Sequence, residues 1–267
     1  MSDGARDLAA RSPAAARRLI REGFFDGPTE TLAAGHLQAA LVLLPKAQAL
    51  DFAIFCHRNP KTLPLLAMTE AGERSCSHLG VDIDLAHDLP GYRLFEDGVL
   101  QAESADIEDS WRPDLVGFLL GTAKGFEGAL VEAGLEVRHR SEGQAAPLYQ
   151  TNVPMAAGGR FSGRQWVSMR PFSAADMIRA VEISARYPLA HGAPLHFGDA
   201  SAIGIERLHK PDAGLPSRLG EGDLPVFWPS ARSAEAALIT SRTPFAIVNA
   251  PGKCLITDWE RERAREG

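Results

Sequence analysis

The sequence lacks any hydrophobic run long enough to cross a membrane. The longest run, around residues 37–44, contains Gln38 and ends at Pro45, whereas a spanning helix needs about 20 consecutive apolar residues. Positive charge is also in short supply, because 28 lysines and arginines stand against 34 acidic residues, for a formal charge of −6. Proteins that neutralise nucleic-acid phosphates usually have the opposite balance. The composition therefore argues against membrane insertion and against nucleic acid as a partner.

Cysteine and cofactor motifs are scarce as well. The chain has three cysteines, Cys56, Cys76 and Cys254, and no C-x-x-C pair. This odd number and spacing exclude a disulfide framework and a zinc site of the kind that C-x-x-C motifs form. The glycines near residue 158 fit neither a Walker loop nor a dinucleotide fingerprint. We therefore expect a reduced, cytosolic protein with no cofactor and no bound metal, although a metal held by residues distant in sequence stays open. A homo-oligomer is compatible with the sequence.

The N-terminus is rich in arginine and alanine, which raises the alternative of a transit peptide. Ser12 is a suitable N-cap, Pro13 suits the first helical position, and Gly23 would end a helix. Acidic residues are also present, which transit peptides largely lack. A plain amphipathic helix is the favoured interpretation.

Apolar runs of strand length alternate with longer helical stretches in the rest of the chain, which is typical of the α/β class. We predict a buried strand over 41–44, a helix over 47–56 and a hairpin that turns at Asp97-Gly98. We also predict a helix that Ser173 caps and that ends before Pro188.

Segments 115–140 and 224–252 resemble each other. Each reads as a strand, a loop of small residues, a helix with an Ala-Leu pair and a second strand. This favours a mixed-sheet, layered main domain over 1–140 and 223–267, with an internal duplication or a chance likeness as the two explanations. Proline and glycine are denser over 141–222, so we expect a smaller, inserted α+β domain there, and a ligand cleft between the domains.

The segment HGAPLHFGD offers the densest group of candidate catalytic residues. His191, His196 and Asp199 lie in a stretch too rich in glycine and proline to be regular structure, and catalytic groups are common on such loops. Structural, hydrogen-bonded histidines are the main alternative, and a metal site is disfavoured because the two histidines are five residues apart.

Further candidates flank this segment. Gly158 and Gly159 offer backbone N–H groups to an anion, with tight turns as the alternative, and Arg170 follows a strand and is suited to grip a carboxylate. Lys124 and Glu127 in TAKGFE are an acid–base pair if burial shifts their pKa values, and surface charges otherwise.

The chain resembles the D-glutamate cyclase-like family, whose bacterial members are mostly labelled hydro-lyases. The likeness covers nearly the whole chain. It is carried by blocks such as REGFFDGPTETL, WRPDLVGFLLG, FEGALVEAGLEVRH, VSMRPFSAADMIRAVEISARYP, HGAPLHFGDASAIGI and APGKCLITD. The resemblance implies a cytosolic, two-domain α/β protein with carbon–oxygen lyase activity. Characterised relatives convert D-glutamate to 5-oxo-D-proline and water.

The resemblance also implies polar and thiol side chains at positions where this chain departs from the pattern. Such changes in a pocket, with the apolar blocks kept, indicate a retuned substrate. The departures are Ala40, Thr122, Ala123, Gly125, Gln150, Met155, Ser230, Asn249 and Lys253, while Arg112, Glu127, Asn152, Arg170, His191, His196, Asp199 and Asp258 are retained.

From these residues we expect a hydro-lyase or cyclase that acts on a small amino or hydroxy carboxylic acid. The alternatives are a non-catalytic binder of carboxylates or lactams, and a diverged enzyme of elimination, hydrolysis or ring closure. We expect Arg170 and the two imidazoles to meet in one hollow. The expected catalytic residues are His191, His196, Asp199 and Glu127, and the expected substrate-binding residues are Arg170, Asn152, Gly158, Gly159, Asn249 and Lys253.

Overall fold

The computed structural model describes residues 11–265, which form two β-sheets with helices packed against them. The strands are β1 (His36–Pro45), β2 (Leu65–Met68), β3 (Tyr92–Glu96), β4 (Val99–Ser104), β5 (Leu115–Gly121), β6 (Leu148–Pro154), β7 (Arg164–Phe172), β8 (His196–Phe197), β9 (Leu224–Pro229), β10 (Phe245–Asn249) and β11 (Leu255–Glu260).

The α-helices within this range are short, and none combines the length and apolar character that crossing a bilayer requires. They are α1 (Pro13–Arg21), α2 (Lys46–Arg58), α3 (Lys124–Glu132), α4 (Arg138–Ser141), α5 (Ala174–Ser184) and α6 (Arg232–Thr240).

Strand β1 lies at the centre of the larger sheet, whose order is β2-β5-β1-β10-β3-β4, and β11 also pairs with β1. Its apolar run is buried on both faces because alternate side chains of a strand point to opposite sides. On one face, α2 and α6 pack with the even-numbered residues Ala40, Val42 and Leu44. On the other face, the irregular segment 76–89 packs with the odd-numbered residues Ala39, Leu41 and Leu43.

The α/β class predicted from the sequence is confirmed. Every strand pair in the described part of the chain is antiparallel, however, whereas the mixed sheet that we expected would contain parallel pairs. Parallel pairs need a crossover that returns to the same sheet. Here β5 and α3 lead on to the smaller sheet, and β9 and α6 lead on to the larger one.

The smaller sheet has the order β6-β7-β9-β8. One face packs against α3 and α5 through residues such as Phe126, Phe172 and Trp228, and the other carries Tyr149 and Phe227. Strand β9 lies beyond residue 222, so this sheet is not confined to 141–222. The division into domains at residues 140 and 222 stays a prediction.

Several local predictions are confirmed. The side chain of Ser12 accepts a hydrogen bond from the N–H of Ala15 and begins α1 with Pro13 at the first position. Ser173 caps α5 in the same way. Asp97 and Gly98, both with positive φ, turn the hairpin between β3 and β4. Residues 1–10 of the arginine-rich N-terminus lie outside the described residues.

The two similar segments share a strand, a loop and a helix, but not the second strand. In each, a strand and a two-residue loop lead to a nine-residue helix whose fourth residue is a buried glutamate, Glu127 or Glu235. The second strand is formed after α6, as β10. The strand expected after α3 is wrong, because 138–141 forms helix α4 instead. Its sequence RHRS offers no apolar alternation that would stabilise a strand.

Arg17 ties α1 to the larger sheet. Its fully buried guanidinium donates to Asp258 Oδ1 at 2.8 Å, to Asp82 Oδ1 at 2.9 Å and to the carbonyl oxygens of Val81 and Ile256. The charge of a buried arginine must be matched by such partners. Asp258, retained from the family pattern, therefore anchors α1.

Candidate active site

A buried ion pair joins the smaller sheet to helix α3. Arg170, on β7, donates from Nε to Oε1 of Glu127, in the first turn of α3, at 2.9 Å, and Nη2 donates to the same oxygen. Nη1 donates to Ser168 Oγ at 2.9 Å, and His139 Nε2 lies 3.3 Å from Glu127 Oε1. The guanidinium is therefore already paired with a protein carboxylate and does not offer its fork to a substrate.

Electrostatics fix the charge state of Glu127. Burial alone would raise the pKa of this carboxyl, but the charges of Arg170 and His139 and their hydrogen bonds outweigh burial and lower its pKa. Glu127 is thus ionised at neutral pH. The Arg170 guanidinium lies 5.2 Å from the ring centre of Phe126 and 5.3 Å from that of Trp228, which adds cation–π contacts to the pair.

A small cavity of about 190 Å³, with several charged residues in its lining, opens beside Glu127 at the start of α3, and we refer to it as the α3 cavity. Lys124 lines it and donates from Nζ to Gln38 Oε1 at 2.9 Å. Gln38 is fixed by Thr29, whose hydroxyl donates to the same oxygen and whose carbonyl accepts from Nε2. The remaining lining residues are Glu30, Leu32, Ala33, Ala34, Gly35, His36, Gly128, Val131, Glu132, Arg140 and Arg261.

Charges of both signs face this cavity. Arg140 Nε lies 3.4 Å from Glu30 Oε1, and both side chains are partly exposed. Arg261 and Glu132 pair with each other at 2.7 Å, so they balance one another. Lys124 hydrogen-bonds to an uncharged amide. The arrangement suits a small ligand that carries both an anionic and a cationic group.

Close packing positions the first turn of α3. A Cβ atom on Gly121 would lie 1.7 Å from the carbonyl oxygen of Leu189, and one on Gly125 would lie 2.7 Å from Ala190 Cβ. Only glycine fits where two backbones approach so closely. Thr122 Oγ1 donates to the carbonyl of Gln38 at 2.9 Å. The loop before α3 is thus held from both sides.

Glu30, Glu127 and His139 offer two carboxylate oxygens and a ring nitrogen within 4.8 Å of one another, a set that could hold a metal ion. Arg140 and Arg170 already stand against the two carboxylates. Two guanidinium groups at the same oxygens compete with a cation. The expectation that the protein binds no metal stays a prediction.

His191 lies in a different, larger cavity of about 570 Å³, which we refer to as the His191 cavity. Its backbone adopts φ +76°, and its Nδ1 lies 3.1 Å from the carbonyl oxygen of Lys61. Burial lowers the pKa of His191 to about 4, so the imidazole is neutral at neutral pH. Burial also lowers the pKa of Lys61.

His196 and Asp199 do not meet His191 in this cavity. The register of β8 sets His196 opposite Phe227, and the imidazole stacks on that ring while Nε2 donates to the carbonyl of Asp199 at 2.7 Å. Asp199 caps a short 3₁₀ turn by accepting from the N–H and the hydroxyl of Ser201. The hollow expected to join Arg170, His191 and His196 is therefore not formed, because local bonds hold His196 elsewhere, while the charge of Arg170 still acts on His191 and lowers its pKa after burial. Catalytic roles for His196 and Asp199 stay predictions.

The glycine pair at 158–159 forms a tight turn against α2. A Cβ on Gly158 would lie 2.4 Å from the backbone of Phe55, and one on Gly159 would lie 2.0 Å from Asp51. The Gly158 N–H donates to the carbonyl of Phe161 at 3.0 Å. That N–H is not free for an anion, which corrects the role we expected for Gly158 and fits the alternative of a structural turn. The role expected for Gly159 stays a prediction.

The other expected substrate-binding residues are dispersed. Asn152 is exposed and packs against Gly204. Asn249 Oδ1 accepts from the N–H of Leu41 at 2.9 Å, and Lys253 Nζ donates to the carbonyl of Pro90 at 3.1 Å. None of the three is among the residues that line the α3 cavity. Their binding roles stay predictions.

Some residues of the α3 cavity were not singled out by the sequence. Glu30, Gln38 and Arg140 reach it from three separate segments, and His139 stands behind Glu127. The one available signal was the run of charged residues at 136–140 in a segment interpreted as a strand. Two departures from the family pattern, Ala40 and Met155, lie in the apolar core instead of a polar site.

Comparison with known proteins agrees with the resemblance noted in the sequence. The chain is 47% identical over 248 residues to a protein of Bordetella pertussis named "Putative hydro-lyase", covering 93% of this chain and 90% of that protein. Proteins with the same description from Aliivibrio fischeri and Thermoanaerobacter sp. are 46% and 45% identical, covering 91% and 94% of both chains. A family model described as D-glutamate cyclase matches residues 116–258. The chain belongs to the D-glutamate cyclase family.

Proposed function

We propose that this protein is a hydro-lyase or cyclase that acts on a small amino or hydroxy carboxylic acid in the α3 cavity. The observation that carries the proposal is the placement of Lys124 and the Arg140–Glu30 ion pair in one cavity of about 190 Å³, beside the ionised Glu127. The relatives named hydro-lyase, and the family model described as D-glutamate cyclase, support the same class of reaction.

Substrate binding follows from the signs of the charges. Arg140 presents a planar guanidinium, which binds a carboxylate with two parallel hydrogen bonds. Glu30 attracts the ammonium group of an amino acid, whereas the charge of Glu127 is already balanced by Arg170 and His139. Lys124 is then the cation left for the second carboxyl group of an amino dicarboxylic acid. The cavity volume restricts the ligand to a small acid.

Ring closure in this site needs two proton transfers from nitrogen to oxygen. Glu30 accepts a proton from the ammonium group, which frees the nitrogen lone pair, and Lys124 protonates the distal carboxyl group. The amine attacks that carbon, a C–N bond forms, and the N–H groups that Lys124 keeps after giving up its proton donate to the tetrahedral oxyanion. The second nitrogen proton moves to the hydroxyl group on that carbon, the C–O bond breaks, and water leaves. Proton return from Glu30 to Lys124 restores both residues.

The experiment is a turnover assay by ¹H NMR on D-glutamate and a panel of small amino and hydroxy acids. We expect Lys124→Met and Glu30→Gln to lower kcat by about 10²- to 10⁴-fold, the usual value of one placed acid or base. Lys210→Met, at an exposed lysine, is the matched control. Unchanged turnover in Lys124→Met would contradict the proposal.

Two further outcomes separate the alternatives. His191→Asn in the same assay tests the catalytic role that the sequence suggested for His191. A ligand that raises the melting temperature of the wild type but not of Lys124→Met, with no turnover of any acid, would replace the lyase with a carboxylate-binding protein.

A further inference from the structure

We propose that the His191 cavity is a second ligand site, which binds an organic acid with a bulky apolar body and a hydroxyl group beside its carboxylate. This site is separate from the α3 cavity and differs from it in size and polarity. The proposal does not depend on the reaction assigned to the α3 cavity.

The walls of the cavity select for an apolar body. Its volume of about 570 Å³ compares with about 190 Å³ for the α3 cavity. One wall is formed by the end of α2 and the segment that follows it. The other wall is formed by the turn after α5. Most of its lining is apolar: Ala53, Cys56, Pro60, Leu63, Pro64, Leu65, Ala185, Pro188, Leu189, Gly192 and Ala193. Ligand sites typically combine such walls with a few placed polar groups.

Lys61 supplies a positive charge at this site. Its ammonium group donates to the carbonyl of Pro194 at 3.0 Å, which uses one of three N–H donors. No carboxylate within residues 11–265 forms an ion pair with it. Lys61 is exposed to solvent, but it lines an apolar cavity and has no anion of its own there, so it is placed to bind a ligand carboxylate.

His191 supplies an acceptor. Its Nδ1 faces the Lys61 carbonyl, which can only accept, so Nδ1 carries the proton and Nε2 carries the lone pair. In the described part of the chain no group donates to Nε2, although the residue is only 1% exposed. This unused acceptor belongs to a residue that lines the cavity, and a hydroxyl group on the ligand can donate to it.

The backbone of His191 indicates that its placement is imposed by the surroundings. A φ of +76° is rare for a residue other than glycine and costs free energy that the rest of the fold must offset. The turn at 188–190 that precedes it is packed against Gly121 and Gly125. The imidazole is therefore held rigidly at the cavity wall, as a binding group should be.

The test is isothermal titration of the full chain with 3-phenyllactate, which carries a carboxylate, a hydroxyl group and an apolar ring. Phenylpropanoate lacks the hydroxyl group, 3-phenylpropane-1,2-diol lacks the carboxylate, and lactate lacks the ring. We expect 3-phenyllactate to bind and each analogue to bind about 10- to 100-fold more weakly, as expected for one lost charge-assisted or buried contact.

Variants locate the binding. Lys61→Met keeps the aliphatic stem and removes the charge, His191→Asn keeps a residue that tolerates positive φ, and Ala53→Phe fills the cavity without changing charge. We expect each to weaken 3-phenyllactate binding at least about tenfold. Lys46→Met, at an exposed lysine in α2, is the matched control for Lys61→Met.

The outcomes are distinguishable from those of the proposed reaction. Absence of binding by the wild type, or equal binding by wild type and Ala53→Phe, would overturn the proposal even if Lys61→Met or His191→Asn failed to fold. Binding that Lys124→Met abolishes would also overturn it, because the ligand would then occupy the α3 cavity. Loss of turnover alone would bear only on the proposed function.

Discussion

Arg170 and Glu127 form an ion pair in which both side chains are almost fully buried, with exposed fractions of 2% and 4%. The pair connects β7 of the smaller sheet to the first turn of α3, where the residues of the α3 cavity converge. A charge buried with its partner is stable only as long as both are present. Because Glu127 also lines the α3 cavity, a change in this buried pair should affect the cavity as well.

Removing one member of this pair is expected to be costly. Arg170→Met leaves the Glu127 carboxylate buried without its main partner and should lower the free energy of unfolding by about 3–5 kcal/mol. The double variant Arg170→Met/Glu127→Leu removes both charges and should recover much of that loss. Urea unfolding followed by circular dichroism measures both values. A double variant as unstable as Arg170→Met would contradict this account.

A methyl group on Gly121 should separate the loop before α3 from the turn at 188–190. The Cβ of Gly121→Ala would overlap the carbonyl oxygen of Leu189, so the backbone must shift, at a cost of about 1–3 kcal/mol. Gly163→Ala is the matched control, because its nearest contact would be an ordinary 3.5 Å. Thermal denaturation compares the two, and equal melting temperatures would show that the close approach is absent in solution.

The buried His191 should make stability depend on pH. Its pKa is about 4 in the folded protein against 6.5 for the free side chain, so the unfolded chain binds the proton more readily. Its contribution is complete above pH 6.5 and is lost as pH falls toward 4, a decrease of about 3 kcal/mol. His191→Asn should flatten the curve of unfolding free energy between pH 7 and pH 4. Parallel curves for the two proteins would indicate that His191 is not buried as a neutral group.

Features whose causes lie within a few residues were predictable from the sequence. The cap at Ser12, the turn at Asp97-Gly98 and the cap at Ser173 follow from local backbone rules, and each is found. The helix over 47–56 was also predictable, because α2 contains it. The antiparallel pairing of β1 was not, since no local pattern states which distant strands will meet.

The residues of the α3 cavity were not predictable as a group either, because they come from distant parts of the chain. Glu127 and Arg170 were both recognised as candidates, but the sequence does not state that they bind each other across 43 positions. Glu30 and Lys124 lie 94 positions apart and become neighbours in one cavity only through the sheet. His191 and His196, which are close in sequence, are separated because β8 aligns His196 with Phe227. Proximity along the chain was thus a poor guide to the site.

The central place of β1 has a consequence for how the protein is made. Two of its three partners, β10 and β11, are translated some 200 residues after it, which at about 5–20 residues per second takes about 10–40 s. Until then the nascent chain carries an apolar strand whose backbone groups lack part of their pairing, a state prone to aggregation. Yield in a heterologous host should therefore depend on chaperone capacity more than on the stability of the finished fold.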